Sequence, residues 1–120
     1  MKLLTKELKR NLPPLYSQEE VEDPVVIVKF FHPRSNWTWY AYEASAVVAA
    51  EEGRYMSLKE AVDVEIQDVL FFGLVSGLEE ELGYFSLREL EGVKDGWGLG
   101  VERDLYFEPK RLSEVRKETG

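Results

Sequence analysis

The sequence predicts an α+β domain, with about four strands in a mainly antiparallel sheet and three or four short helices. Three observations lead there. Segments such as VVIVKFF (25–31) and DVLFFGLVSG (68–77) are short, β-branched or aromatic, and apolar at both parities, as strands covered on two sides are. Helix-start chemistry recurs as Ser-x-x-Glu at Ser17/Glu20, Ser57/Glu60 and Ser86/Glu89. The strands do not alternate with long helical crossovers, which disfavours a doubly wound α/β arrangement.

Leu4, Leu8 and Leu12 lie four residues apart and mark one stripe of a first helix. Thr5 can cap its start, and Pro13-Pro14 ends it, because neither proline donates a backbone hydrogen bond. YSQEEVEDP (16–24) is a polar connector with room for one turn. VVIVKFF is the first strand and a central one. HPRSN (32–36) supplies a turn, so a second strand from Trp37 closes an antiparallel hairpin. Alternation puts Trp37, Trp39, Ala41 and Glu43 on one face, and Asn36, Thr38, Tyr40 and Tyr42 on the other. ASAVVAA (44–50) fits either strand or helix. SLKEAVDVEI (57–66) opens on a capping box and predicts a short helix. DVLFFGLVSG is the third strand, where Gly73 marks a bulge or a close approach. LEEELGYF (78–85) is a connector with room for one helical turn. SLRELEGV (86–93) predicts a helix started by Ser86 and ended by Gly92. KDGWGLG (94–100) is a loop, VERDLYFEP (101–109) the fourth strand, and RLSEVRKE (111–118) a closing helix.

A chain of 120 residues suits one domain spanning 1–120, able to bury a core without a disulfide or metal staple. The absence of cysteine excludes disulfides, thiol nucleophiles and Cys-containing zinc sites, and points to a reducing cytoplasm. The start, MKLLTKELKR, has no apolar run long enough for a signal peptide, and the longest apolar stretch, VLFFGLV (69–75), is too short to span a bilayer, so no membrane partner is expected. The net charge of −8, from 23 acids against 15 bases, repels a phosphate backbone and disfavours nucleic acid. The same excess suits a protein partner with a basic surface. Asn36-Trp37-Thr38 matches a glycosylation acceptor, a modification that a cytoplasmic chain does not meet.

The phrases LLTKELKRNLPPLYSQE, VVIVKFFHPRSNWTWYAYEAS, DVLFFGLVSGLEEELGYFSLRELE and ERDLYFEPKRLSEV together resemble a bacterial family catalogued as domain of unknown function 2958. The resemblance runs from Leu3 to Val115 and is weakest between Ala46 and Gln67. It implies a bacterial, cytoplasmic protein of a kind often carried on plasmids, phages and other mobile elements. It supplies no catalytic residue and no ligand.

Two constellations carry candidate chemistry. In RSNWTWYAYEA (34–44), Asn36, Trp37, Trp39, Tyr40 and Glu43 read either as packed core or as a protein-contact patch, where Trp and Tyr are enriched. A base-stacking platform conflicts with the charge. In the fourth strand, parity aligns Glu102, Asp104, Tyr106 and Glu108. Such carboxylates can hold a hard cation or act as acid and base, provided Glu43 or Asn36 completes the site. The plainer reading is a solvated strand face whose like charges discourage edge pairing. Arg103, of opposite parity, then needs a carboxylate if its side is core. His32 is the only histidine and reads as an exposed turn residue beside Pro33. GWGLG (96–100) precedes a strand rather than following one, so it is a turn and not a phosphate loop. No metal ligand set and no cofactor is expected.

Together these features predict a non-enzymatic accessory or inhibitor, associated with mobile elements, that engages another protein through an acidic, partly aromatic face. The alternative is a small enzyme or divalent-metal-binding domain using the carboxylates Glu102, Asp104 and Glu43.

Overall fold

A computed structural model describes residues 2–119. In chain order its elements are α1 (Lys6–Asn11), β1 (Val25–Val26), β2 (Val28–Phe31), β3 (Thr38–Ala49), β4 (Arg54–Ser57), β5 (Asp68–Ser76), β6 (Glu80–Ser86), α2 (Leu87–Gly92), β7 (Glu102–Arg103), β8 (Lys110–Arg111) and α3 (Leu112–Thr119), with a 3-10 turn at Ala50–Glu52. The class is α+β and the sheet antiparallel. The strand count is larger than four: the main sheet has six, ordered β6-β5-β3-β2-β7 with β4 also on β3, and β1 pairs with β8 apart from it.

β3 is the spine. The segment 44–50, open between strand and helix on sequence, continues β3 through Ala49, because fully buried Ala44 and Ala46 let the layers approach closely. β5 takes one edge of β3 along its length, while β2 and β4 share the other. The gap between them is filled by the chain after α1, where the Ala44 N–H donates to the Pro13 carbonyl at 2.9 Å.

Four sequence expectations are corrected. The 25–31 strand splits at Ile27 into β1 and β2, which belong to different sheets. The 57–66 helix does not form. Ser57 Oγ accepts the Glu60 N–H at 3.2 Å, as a cap would, but the chain makes only a turn there. Residues 78–85 are mostly β6, an edge strand that exposes Glu81, Leu82 and Tyr84 and buries Phe85, so pairing with β5 overrides weak strand propensity. The 101–109 strand shrinks to β7, because Asp104 Oδ1 accepts the Tyr106 N–H at 2.9 Å and turns the chain.

The helix caps follow the sequence more closely. Thr5 and Ser86 accept the N–H groups of Leu8 and Glu89. Gly92 is the last residue of α2 and Val93 its cap, with an ordinary negative φ. α3 takes its cap from afar: Asp23 Oδ1 accepts the Ser113 N–H at 2.9 Å, and Ser113 Oγ donates to Asp23 Oδ2 at 2.7 Å. Those bonds, with the Arg111 cation, hold the Asp23 carboxyl below its ordinary value.

The sheet is covered on both sides. Phe30, Ala41, Ala44, Ala46, Phe71, Phe85 and Leu90 belong to the larger core, and Val26, Tyr40, Tyr42, Leu74, Leu112 and Val115 to the smaller one under α3. Ala41 and Ala44 face the same core although three residues apart, because β3 bulges between Ala41 and Glu43. The bulge reverses the parity beyond it. Glu43 therefore shares a face with Tyr40 and Tyr42 rather than with Trp37 and Trp39. Gly73 lies opposite on β5, and a Cβ there would overlap the Tyr40 carbonyl, so both a bulge and a close approach occur.

Candidate functional site

The structure sorts the residues singled out by sequence into three places. Asn36, Trp37 and Trp39 lie at the β2–β3 hairpin end. The Trp37 and Trp39 rings stack with centroids 6.2 Å apart, and Trp37 covers Gly77. Trp39 is half-buried against the larger core, whereas Asn36 is exposed and Trp37 is 42% exposed. With His32, Ser35, Val93, Lys94 and Asp95 these tryptophans line a cleft of about 420 Å³. His32 is buried, not exposed as its turn position implied. Its Nδ1 accepts the Arg34 N–H at 3.3 Å, and its Nε2 lies 3.1 Å from the Leu99 carbonyl. A carbonyl only accepts, so Nε2 carries the hydrogen and both ring nitrogens are occupied in holding the loop.

Asp95 organises the facing loop. Its Oδ1 accepts the Trp97 and Leu99 N–H groups at 2.9 and 3.0 Å. Its buried Oδ2 has no hydrogen-bond donor but lies 3.4 Å from Arg34 Nε and 3.9 Å from His32 Nε2. Burial raises the carboxyl, yet the Leu99 and Trp97 N–H groups and the Arg34 cation outweigh it and hold Asp95 below its ordinary value. GWGLG is thus a turn pinned by one aspartate, with Gly98 in the left-handed region.

The acidic row does not survive as a row. Glu102 is half-buried in β7 opposite Phe31. Asp104 pairs with Lys29 at 3.5 Å, Tyr106 is 93% exposed beyond the turn, and Glu108 is exposed. Arg103 Nη1 donates to the Lys2 carbonyl at 2.6 Å. Tyr40 is buried beside Phe107, and burial, with the charges of Glu118, Asp104 and Glu80, pushes its phenol up. β7 is separated from β3 by β2, so two strand spacings, about 10 Å, part Glu102 and Asp104 from Glu43. Among the described residues no three His, Cys, Asp or Glu side chains come together to hold a metal ion.

Glu43 stands in a different setting. It is 3% exposed, on the face reversed by the bulge. Its Oε1 accepts the Tyr16 N–H at 2.9 Å and its Oε2 the Gln18 N–H at 2.8 Å, while Ser45 Oγ accepts the Leu15 N–H at 3.0 Å. These bonds fasten the 15–18 connector across the sheet. Tyr16 is held at φ +71°, the left-handed region that non-glycine residues seldom enter. That backbone turn presents its ring, 58% exposed, to Tyr84, 51% exposed. The neighbouring Tyr16 hydroxyl pushes the Tyr84 phenol up to about 12, with partial burial and the Glu43 charge acting the same way. Below them Phe72 packs 4.7 Å from Tyr84 and edge-on to Tyr42 at 5.6 Å. The result is a groove of about 310 Å³ with aromatic walls, Glu19 and Glu22 at its rim and Glu43 at its base. Among the described residues no ion pair reaches Glu43.

Of this groove the sequence pointed only to Glu43. Tyr16 sits in a connector, and Tyr84 on a strand hidden by its acidic neighbours. The available signal was the pair Pro13-Pro14, which ends α1 and turns the chain across the sheet.

The architecture defines a small α+β protein built on a six-stranded, mainly antiparallel sheet. The chain belongs to the family described as Protein of unknown function (DUF2958), whose model matches residues 3–118. No curated protein and no solved structure matches it. Among the described residues no helix is long and apolar enough to cross a membrane.

Proposed function

We propose that this chain is a non-enzymatic accessory or inhibitor protein that engages a partner of basic surface through the groove around Glu43. One observation carries the reading. A carboxylate 3% exposed, fastened by backbone N–H groups alone, lies at the base of an aromatic groove with acids at its rim and no ion pair of its own among the described residues. Burying a charge is costly without a counter-charge, and two charge-assisted hydrogen bonds offset only part of that. A cation delivered by a partner completes the compensation. The net charge of −8 steers such a partner inward, and exposed tyrosines suit a contact surface. Carriage on mobile elements, which the family resemblance implies, accords with a small protein acting on a host component, by association only.

Titrating isotope-labelled protein with a lysine- and arginine-rich peptide tests this. Resonance shifts are expected at residues 15–22 and 82–85, binding weakens as salt is added, and Glu19→Lys with Glu22→Lys abolishes it. Shifts confined to residues 32–39 and 93–99 would remove the groove from the account.

A further inference from the structure

We infer that the groove receives one arginine side chain of the partner, its guanidinium against the tyrosine walls and its donors toward the carboxylates. The inference rests on the reading above and specifies its ligand.

The walls favour a planar cation. Tyr16 and Tyr84 are both more than half exposed, line the same groove, and Tyr84 is backed by Phe72. A guanidinium is flat, weakly hydrated and stacks on aromatic faces, whereas an ammonium is a compact and strongly hydrated point charge. The base of the groove retains acceptor capacity. An ionised carboxylate offers about four lone-pair sites, and Glu43 uses one on each oxygen, for Tyr16 and Gln18. One acceptor site on each oxygen matches the fork of a guanidinium. Glu19 and Glu22 at the rim add charge of the same sign. Val21 and Leu82, both exposed, offer apolar surface for the methylene stem. Arg116, whose charge acts on Tyr42 of this face, is engaged with Glu80 at 3.8 Å.

Tyr16 provides the decisive variant. Its backbone is in the left-handed region, which glycine adopts without strain. Tyr16→Gly therefore removes the ring while keeping the N–H that Glu43 accepts, and the variant folds. The probe is a blocked Gly-Arg-Gly tripeptide, compared with its lysine and citrulline counterparts and followed at the Tyr16, Gln18 and Tyr84 resonances. The arginine peptide is expected to bind about fivefold more tightly than the lysine peptide. The uncharged citrulline peptide leaves the resonances unmoved. Tyr16→Gly lowers arginine affinity about tenfold while the melting temperature is held or raised. Equal affinity for lysine, shifts elsewhere on the surface, or undiminished binding to Tyr16→Gly would each overturn the inference. If the arginine peptide fails while a basic partner still depends on Glu19 and Glu22, the guanidinium is wrong and the broader binding reading stands.

Discussion

Asp95 and Glu43 are two carboxylates doing the same local job with opposite remainders. Each anchors a loop by accepting two backbone N–H bonds. Asp95 uses a single oxygen for both and reaches only two and four residues ahead, so its other oxygen turns toward the Arg34 and His32 side chains. Glu43 spends both oxygens on N–H groups 27 and 25 residues away, and no cation of the described chain pairs with it. Asp95 thus has a counter-charge within its own loop region, although its Oδ2 receives no hydrogen bond. The Glu43 connector is held equally well but leaves a negative charge beneath an open aromatic groove. The difference separates a carboxylate that only builds structure from one that also has something to offer a ligand.

The largest expected effect breaks this comparison at its geometric origin. Glu43 faces the groove only because β3 bulges opposite Gly73, and a Cβ at Gly73 would overlap the Tyr40 carbonyl. Gly73→Ala forces the strands apart and destabilises the fold by roughly 3 kcal/mol or more, measured by chemical denaturation. Hydrogen exchange should show the loss first at the Tyr16 and Gln18 amides, with the Trp97 and Leu99 amides protected longer. Simultaneous loss at both would mean that the two loops do not depend on separate anchors.

Glu43→Ala comes next. It removes two charge-assisted acceptors and leaves the Tyr16 and Gln18 N–H groups without partners, costing about 3 kcal/mol. Glu43→Gln keeps one carbonyl acceptor and should fall near half of that. A melting temperature unchanged in both variants would show that the connector is held by its prolines and not by Glu43.

These two anchors also show what the sequence made legible. Caps at Thr5 and Ser86 could be read because donor and acceptor lie three residues apart. β5 could be read because its two buried faces make it apolar at both parities. β6 could not, since an edge strand carries Glu81 and Tyr84 outward and owes its form to a partner rather than to propensity. Glu43 could be singled out as a carboxylate among aromatics, but its face could not be assigned, because one bulged residue reverses the alternation. Tyr16 lies 27 residues before the carboxylate that positions it, a separation that no periodicity spans. The acidic alignment of Glu102, Asp104, Tyr106 and Glu108 was a parity argument too, and it failed where Asp104 turned the chain to cap Tyr106.

A smaller effect concerns acid. Asp95 is held below its ordinary value near 3.8, so its contribution is complete above that pH and is lost as pH falls through the lower folded value. The Trp97 and Leu99 amides should therefore stay protected at pH 4 and open only in stronger acid. Asp95→Asn keeps an oxygen acceptor but removes the charge that Arg34 and His32 face, so opening should lose its pH dependence below 4. Persistence of that dependence in Asp95→Asn would assign it to another carboxylate, Asp23 being the first to examine.

The smallest effect is spectroscopic and probes the leftover charge itself. Tyr84 is pushed from 10.0 to about 12, chiefly by the Tyr16 hydroxyl, with the Glu43 charge adding to it. A raised phenol contributes stability that is complete below pH 10 and is lost as pH rises through the folded value. Ultraviolet titration of the tyrosines should thus contain a late component from Tyr84 beside those of the buried Tyr40 and Tyr42, and Tyr84→Phe should remove its share. Tyr16→Phe should bring the Tyr84 component down most, because the hydroxyl that acts on it most is removed. Glu43→Gln should bring it down slightly, because only a distant negative charge is neutralised, whereas Asp95→Asn should leave it in place. If Asp95→Asn moves the late component as far as Glu43→Gln does, the charge felt at Tyr84 is that of the whole acidic surface, and the groove has no field of its own to distinguish it from the hairpin end.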